Sequence, residues 1–172
     1  KRASVIEPRQ AYVLQQLADR DGLTGLYNRR AFDERFLEMS ALTEQESVML
    51  MIDVDKFKTI NDSHGHETGD AMLIAVASAI LEEIRGVDVA ARFGGDEFVV
   101  LLAGTDVTAG AAIAERIRAR VLSAQLSPPV TLSIGAAAFS ANPRLTSQAA
   151  DRALYQAKES GRHCVRTSTE AE

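Results

Sequence analysis

The chain has 172 residues, of which 46% are hydrophobic and 25% charged, a composition typical of one globular domain with a full hydrophobic core. Its 19 basic and 24 acidic residues give a net charge of −5, which argues against binding a nucleic-acid polymer, because such binding requires a basic surface. The single cysteine, Cys164, excludes an internal disulfide and indicates a reducing, cytoplasmic setting.

The first 20 residues (1–20) are interpreted as a linker or signalling helix that ends a longer upstream region. The chain starts with Lys1 rather than Met, so we expect a piece of a longer protein whose missing part could hold a sensory or membrane segment. A helix is predicted from Pro8 to about Arg20. One face of it carries three apolar residues, Val13, Leu14 and Leu17. Two alternatives stay open for this face: it docks on the domain, or it pairs with a second copy in a dimer.

The main globular domain is expected to span residues 21–166 and to begin with a turn-rich loop. Asn28 is a suitable N-cap for a helix over about Arg29–Ser40. The continuous apolar run Val48–Ile52 then predicts a strand that is buried on both faces. A polar loop is expected from Lys56 to Gly69, before a helix from Asp70 to about Arg85.

The middle of the chain predicts a β-hairpin. Its strands are Val87–Ala91 and Phe98–Leu102, and they are joined through Gly94 and Gly95, because a tight turn needs positive φ and glycine adopts it readily.

The C-terminal third predicts two helices that alternate with two strands. In chain order these are a helix over Val107–Leu122, a strand over Val130–Ala136, a helix over Thr146–Glu159 and a strand over His163–Val165. The tail, residues 167–172, is expected to be disordered. The element order predicts an α/β (α+β) fold: a mixed sheet of about five strands, antiparallel at the hairpin, with helices on both faces.

Acidic side chains are expected to gather at one edge of this sheet. Asp53 lies where the buried strand ends, and Asp55 points to the same side of that strand. If the hairpin pairs beside this strand, Asp53 converges with Asp96 and Glu97. Three adjacent carboxylates repel one another unless cations are bound, and all-oxygen ligands favour Mg²⁺ or Mn²⁺. The alternative is a set of solvated acids at a strand end and a hairpin tip.

The segment after the strand carries candidates for binding a phosphorylated ligand. Free backbone N–H groups and Lys58 would suit the phosphates of a nucleotide, although a solvated basic loop is the alternative. His64 and His66 resemble a zinc pair, but no Cys or third His lies at ligand spacing, which disfavours zinc. Asp70 could equally be the N-cap of its helix.

Several segments together resemble the diguanylate cyclase (GGDEF) domain family, over about residues 21–165. They are Asp21–Arg30 (DGLTGLYNRR), Ile52–Asp62 (IDVDKFKTIND) with Gly65-His66 and Gly69-Asp70, Arg92–Phe98 (RFGGDEF), Ser133–Gly135, and Ala153–Lys158 with Gly161-Arg162. Each motif alone is moderately specific, but their shared order and spacing are very specific. The resemblance implies a ferredoxin-like core of the nucleotidyl-cyclase type.

The resemblance also implies a role for each matching residue. The implied metal ligands, for two Mg²⁺ or Mn²⁺ ions per half-site, are Asp53, the Val54 carbonyl, Asp96 and Glu97. The implied catalytic residues are Asp96, which accepts the 3′-hydroxyl proton, Glu97, and Lys58, which stabilises the transition state. The implied substrate-binding residues are Phe57, Lys58, Asn61, His66, Asp70, Gly94, Gly95, Lys158 and Arg162.

The implied reaction joins two GTP molecules into cyclic di-GMP across an antiparallel homodimer, under the control of an upstream sensory domain. An ionised Asp70 can accept from guanine N1–H and N2–H₂ together, whereas adenine offers neither donor, so GTP is expected over ATP. The alternative is a catalytically silent receptor for GTP or cyclic di-GMP. The intact set of Asp53, Lys58, Asp96 and Glu97 favours the enzyme.

A second site is suggested by Arg85 and Asp88. Their offset from Gly94 matches the inhibitory Arg-x-x-Asp site of the family, and Arg116 lies where a second product-binding arginine is expected. We therefore expect feedback inhibition by cyclic di-GMP. The alternative is an ion pair between residues i and i+3 at a helix end, worth under about 1 kcal/mol.

Overall fold

The apolar run near residue 50 forms the central strand of a five-stranded sheet in the computed structural model, which describes residues 7–42 and 45–168. The strands are β1 (Ser47–Val54), β2 (Val89–Gly94), β3 (Glu97–Ala103), β4 (Leu132–Ala138) and β5 (Val165–Ser168). Their spatial order is β2-β3-β1-β4-β5, and β4 and β5 are parallel while the other neighbours are antiparallel. The predicted mixed sheet of five strands is confirmed.

Helices cover both faces of this sheet, as predicted. They are α1 (Pro8–Ala18), α2 (Arg29–Ser40), α3 (Phe57–His64), α4 (His66–Glu83), α5 (Val107–Ser123) and α6 (Pro143–Glu159). Side chains of β1 alternate between the two faces of the sheet, and the hydrophobic core is therefore divided into two clusters. Leu50 and Ile52 belong to the cluster that includes residues of α4 and α5, and Met49 belongs to the cluster that includes residues of α2 and α6. The order of β1, α4, β2, β3, α5 and β4 is that of a ferredoxin-like core.

The start of α2 agrees with its sequence signal. Asn28 is the N-cap, and its side-chain oxygen accepts a hydrogen bond of 3.0 Å from the backbone N–H of Ala31. A local signal of this kind needs no tertiary information, which explains why the start of this helix was predicted correctly.

Residues 56–69 are mainly helical, so the prediction of a polar loop there was wrong. Helices α3 and α4 follow each other directly, and only Gly65, with φ of 85°, separates them. Phe57 and Ile60 pack against the core at helical spacing, while the polar residues of α3 are mostly at the surface. Asp70 therefore lies inside α4 and is not the N-cap of that helix.

The hairpin turn is shifted by one residue from its predicted position. Gly94 is the last residue of β2 and pairs with Glu97, so Gly95 and Asp96 form the turn. Gly94 and Gly95 have φ of 120° and 55°. These positive values are the backbone conformation that the Gly-Gly pair predicted for the turn.

The last strand lies further along the chain than predicted. Strand β5 contains Thr167 and Ser168, which were assigned to a disordered tail, because these residues pair with Ala136 and Ala137 of β4. The remainder of the predicted tail, residues 169–172, lies outside the described part of the chain.

Helix α1 does not dock its apolar face on the domain. Val13, Leu14 and Leu17 are 50%, 55% and 69% exposed, and α1 has no buried residue. Of the two alternatives, docking on the domain is therefore not observed. Within residues 7–42 and 45–168, none of the helices has the length and hydropathy needed to cross a membrane.

Candidate functional site

The end of β1 and the hairpin turn meet at one edge of the sheet, as the sequence predicted. Strand β3 pairs with β1 in a register that places Glu97 opposite Asp53. The backbone N–H of Val54 donates a hydrogen bond of 3.2 Å to the Asp96 carbonyl and so extends the pairing into the turn. The pairing of neighbouring strands thus brings together acidic residues that are more than 40 positions apart in the chain.

The carboxyl group of Asp53 is the electrostatic centre of this edge. It is buried, and it contacts both the ammonium of Lys158 on α6 and the carboxyl group of Asp96. Burial raises the pKa of Asp53 to about 6; the ammonium opposes this rise and the neighbouring Asp96 carboxyl adds to it. Burial of this carboxyl group is therefore the main cause of its raised pKa.

The expected convergence of three carboxylates is only partly observed. Asp53 and Asp96 are in contact, but Glu97 is exposed. No group of three or more His, Cys, Asp or Glu side chains is gathered at metal-binding separation in the part of the chain that the structure describes. Like-charged carboxylates repel one another, and Asp53 is paired with the ammonium of Lys158 instead of with a third acidic group. The oxygen atoms of the two carboxyl groups are hard donors, and hard oxygen donors suit Mg²⁺ or Mn²⁺.

The start of α3 holds the groups that the sequence predicted as phosphate contacts. Lys56, with φ of 55°, turns the chain from β1 into α3, and the first N–H groups of a helix have no acceptor within it. These groups include those of Phe57 and Lys58. The side chain of Lys58 is exposed and makes no ion pair with any described residue.

Asn61 is fixed between α3 and α4 by close contact with a glycine. A Cβ atom placed on Gly69 would lie 1.8 Å from Asn61 Oδ1, so the amide fits only because residue 69 has no side chain. Asn61 Oδ1 is buried and has no hydrogen-bond partner among the residues that the structure describes. Two other predicted substrate residues, His66 and Asp70, are exposed on the same helix as Gly69. The sequence analysis quoted Gly69 within a motif but gave it no role.

Lys158 lies in the last turn of α6, and Arg162 lies in the loop that follows this helix. Gly161, with φ of 100°, ends the helix, and the backbone N–H of Arg162 donates to the Ala157 carbonyl at 3.1 Å. The guanidinium of Arg162 has no ion-pair partner among the described residues. Lys158, in contrast, contacts Asp53.

Arg92 supports the hairpin turn, a role that the sequence analysis missed. Its guanidinium donates to the Gly95 carbonyl at 2.8 and 3.2 Å and pairs with Asp21 at 3.3 Å. Asp21 also accepts from Thr24, which fixes the loop before α2. Arg92 and Asp21 both lie within motifs, but the contact between two such distant motifs has no local signal.

Asp55 does not join the acidic edge. Its carboxylate accepts hydrogen bonds from the hydroxyl groups of Thr131 and Ser133 and from the backbone N–H of His163. Three protein donors satisfy it, so Asp55 contributes no free ligand to a metal.

The residues of the suggested second site lie at the C-terminal end of α4. Arg85 makes two hydrogen bonds to Asp88, at 3.0 and 3.2 Å, and donates to the Ala103 carbonyl at 2.5 Å. Arg116 on α5 donates through Nε to Glu83, two positions before Arg85. The ion pair between residues i and i+3 is thus present, and Arg116 lies near it.

Comparisons with known proteins agree on one family. The family described as "Diguanylate cyclase, GGDEF domain" matches residues 18–164. The chain is 36% identical to the probable diguanylate cyclase DgcC of Escherichia coli, over 87% of this chain and 43% of that protein. It is 39% identical to the diguanylate cyclase DgcP of Pseudomonas aeruginosa, over 86% of this chain and 24% of that protein. The chain thus spans less than half the length of these relatives.

Solved structures show the same similarity. The coiled coil and GGDEF domain of DgcB from Caulobacter crescentus, in complex with c-di-GMP, superposes with a TM-score of 0.87 and 31% identity, over 92% of this chain and 90% of that one. Diguanylate cyclase SiaD of Pseudomonas aeruginosa, in complex with its activator SiaC, has a TM-score of 0.85 and 35% identity, over 92% of this chain and 65% of that one.

Proposed function

The chain belongs to the GGDEF family of diguanylate cyclase domains, and on that basis we propose that it condenses two GTP molecules into cyclic di-GMP and two pyrophosphates. The observation that carries the proposal is the contact between Asp53 and Asp96 where β1 meets the hairpin turn. A catalytically silent receptor for GTP or cyclic di-GMP is the alternative. Its binding function would not require acidic residues to be kept together at a strand end.

Divalent cations are part of this proposal. Asp53, Asp96, Glu97 and the carbonyl of Val54 would hold two Mg²⁺ or Mn²⁺ ions in each half-site. When bound, such ions neutralise negative charge on the phosphates and make the 3′-hydroxyl more acidic. The contact between the carboxyl groups of Asp53 and Asp96 supports this assignment, because a bound cation would stabilise two adjacent negative charges. Asp96 accepts the proton of the attacking 3′-hydroxyl.

The triphosphate is bound by positive groups around the end of β1. The backbone N–H groups of Phe57 and Lys58 and the hairpin glycines Gly94 and Gly95 approach it closely. The side chain of Lys58 stabilises the charge that develops during phosphoryl transfer. Lys58 has no acidic partner among the described residues of a chain with a net charge of −5, which supports a role in binding an anion.

The guanine base is bound between α3 and α4 by Asn61, His66 and Asp70. Asp70 accepts from N1–H and from one hydrogen of the exocyclic amine. The second hydrogen of that amine needs another acceptor, and Asn61 Oδ1 is a buried acceptor that has no partner within residues 7–42 and 45–168. Adenine lacks both donors, so we expect GTP to be used in preference to ATP.

Catalysis requires two copies of the domain. Each half-site binds one GTP, so two domains face each other antiparallel, with each 3′-hydroxyl directed at the α-phosphate bound by the other. The exposed apolar face of α1 supports pairing of a second copy upstream of the domain, where an attached sensory region would control the dimer.

Incubation with GTP and Mg²⁺, followed by chromatography, tests the proposal. We expect cyclic di-GMP and pyrophosphate, a rate per domain that rises with protein concentration, no product after chelation of the metal, and no cyclic product from ATP. Binding of GTP without turnover at high protein concentration would favour the receptor alternative instead.

Feedback inhibition by cyclic di-GMP at Arg85, Asp88 and Arg116 is a separate part of the proposal. Arg116 bonds to Glu83 through Nε alone, and its two terminal nitrogens make no hydrogen bond to the described residues. Those nitrogens match the paired acceptors of a phosphate or a guanine edge.

Replacing Arg85 by Ala should weaken cyclic di-GMP binding by about tenfold or more, because a bidentate guanidinium contact is lost. The fold should persist, since the buried Asp88 keeps backbone N–H donors from residue 85 and Ala103. Calorimetric titration measures the change. Arg120→Ala, on the same helix as Arg116 and paired with Glu82 and Glu83, is the matched control and should bind normally. If Arg85→Ala bound cyclic di-GMP with unchanged affinity, the assignment of an inhibitory site to Arg85 would be wrong.

A further inference from the structure

Asp55 is a buried carboxylate that the proposed reaction does not use. Its Oδ1 accepts from Ser133 Oγ at 2.6 Å, and its Oδ2 accepts from Thr131 Oγ1 at 2.7 Å. Oδ2 also accepts from the backbone N–H of His163 at 3.1 Å, which is 108 positions away in the chain. One side chain thus connects the end of β1, the start of β4 and the loop between α6 and β5.

That loop contains two consecutive strained residues. Arg162 and His163 have φ of 65° and 49°, in the left-handed region that residues with a Cβ seldom adopt. Such a conformation persists only when the surroundings fix it, and it is frequent at functional sites. Here the fixing contacts are the bond from Arg162 N–H to the Ala157 carbonyl and the bond from His163 N–H to Asp55. Arg118 also contacts the His163 ring at 2.9 Å.

We propose that Asp55 is a positioning residue for triphosphate binding. Its hydrogen bond to His163 holds the backbone from which the guanidinium of Arg162 reaches the phosphates. The inference rests on the proposed function, in which Arg162, one of the substrate-binding residues that the resemblance implies, would contact the phosphates of GTP. Arg162 has no ion-pair partner among residues 7–42 and 45–168, and the backbone conformation at Arg162 and His163 sets the direction in which its side chain leaves the chain.

A positioning role and a merely structural role predict different ligand dependence. If Asp55 acts through Arg162, its removal weakens binding of a triphosphate much more than binding of GMP, which lacks the β- and γ-phosphates. A structural role would weaken both ligands equally or lower stability alone. The ratio of the two affinities therefore separates the roles.

The test is calorimetric titration with GMP and with 3′-deoxy-GTP, which has no 3′-hydroxyl and cannot be condensed, in the presence of Mg²⁺. We expect Asp55→Ala and Arg162→Ala each to raise the Kd of 3′-deoxy-GTP about tenfold while the Kd of GMP stays the same. The double variant should bind as either single variant does, because both remove the same contact. Asp55→Asn, which keeps one acceptor oxygen for His163 N–H, should recover part of the affinity.

Asp19→Ala is the matched control. Asp19 is equally buried and is bonded to Gln15, Arg30 and Arg35, so its loss should lower stability without changing the affinity ratio. Additive losses in the double variant, or equal losses for GMP and 3′-deoxy-GTP, would overturn the inference. If Asp55→Ala does not fold, the Kd values of 3′-deoxy-GTP and GMP are measured with Asp55→Asn instead. The ratio of these two values then decides between the roles. Failure of the unmodified protein to bind 3′-deoxy-GTP would instead overturn the proposed function, and this inference with it.

Discussion

Replacing Glu97 by Gln should reduce cyclic di-GMP synthesis by on the order of 10²–10³-fold, the effect typical of losing one group that stabilises transition-state charge. Glu97 lies opposite Asp53 in the strand pairing and is exposed, so it is free to complete a cation site with Asp53 and Asp96. The amide keeps the size of the side chain and removes its charge. Chromatography of the product at saturating GTP and Mg²⁺ measures the loss.

The fold of Glu97→Gln should be unaffected, because substitutions of exposed side chains usually change stability by under about 0.5 kcal/mol. Glu46→Gln is the matched control: Glu46 is also exposed, but it precedes β1 at the end of the strand remote from Asp53. We expect normal synthesis and normal Mn²⁺ binding in the control, and weakened Mn²⁺ binding in Glu97→Gln. Turnover by Glu97→Gln equal to that of the unmodified chain would refute the assignment of Glu97 to the metals.

Features with a local cause could be predicted from the sequence. Asn28 caps α2 through its own side chain, and the run from Val48 to Ile52 predicted the central strand because few other structures accept so many consecutive apolar residues. The contact between Asp53 and Asp96 needed one further step, the assumption that the hairpin pairs beside that strand. That step was correct because a hairpin next to a buried strand has few other places to pair.

Features that depend on packing between distant elements were not predicted. Helix α3 was missed because only Phe57 and Ile60 face the core, which is too few apolar residues to display a helical period. Asp55 was expected to accompany Asp53, since alternation places both on one side of the strand. Its partners belong to β4 and to the loop after α6, and their positions depend on the whole fold. The displacement of β5 has the same origin, because its extent is set by pairing with β4.

The contact between Asn61 and Gly69 leads to the second large prediction. Replacing Gly69 by Ala should raise the KM for GTP by about ten- to a hundredfold, the effect expected when a binding group is displaced by about 1 Å. The added Cβ would lie 1.8 Å from Asn61 Oδ1, 2.9 Å from its Cγ and 3.1 Å from Phe57 Cζ. All three atoms belong to side chains, so the amide can rotate away while the backbone stays in place. Steady-state kinetics over a range of GTP concentrations measure the change.

Stability should not explain the loss, because alanine favours a helix over glycine by up to about 1 kcal/mol. Gly22→Ala is the matched control, since a Cβ on Gly22 meets no atom within 4 Å. Asn61→Ala should show the same rise in KM, and adding Gly69→Ala to it should cause no further loss, because the side chain that the new methyl group displaces is already gone. Additive effects of the two substitutions would mean that Gly69 acts on GTP binding through something other than the Asn61 amide.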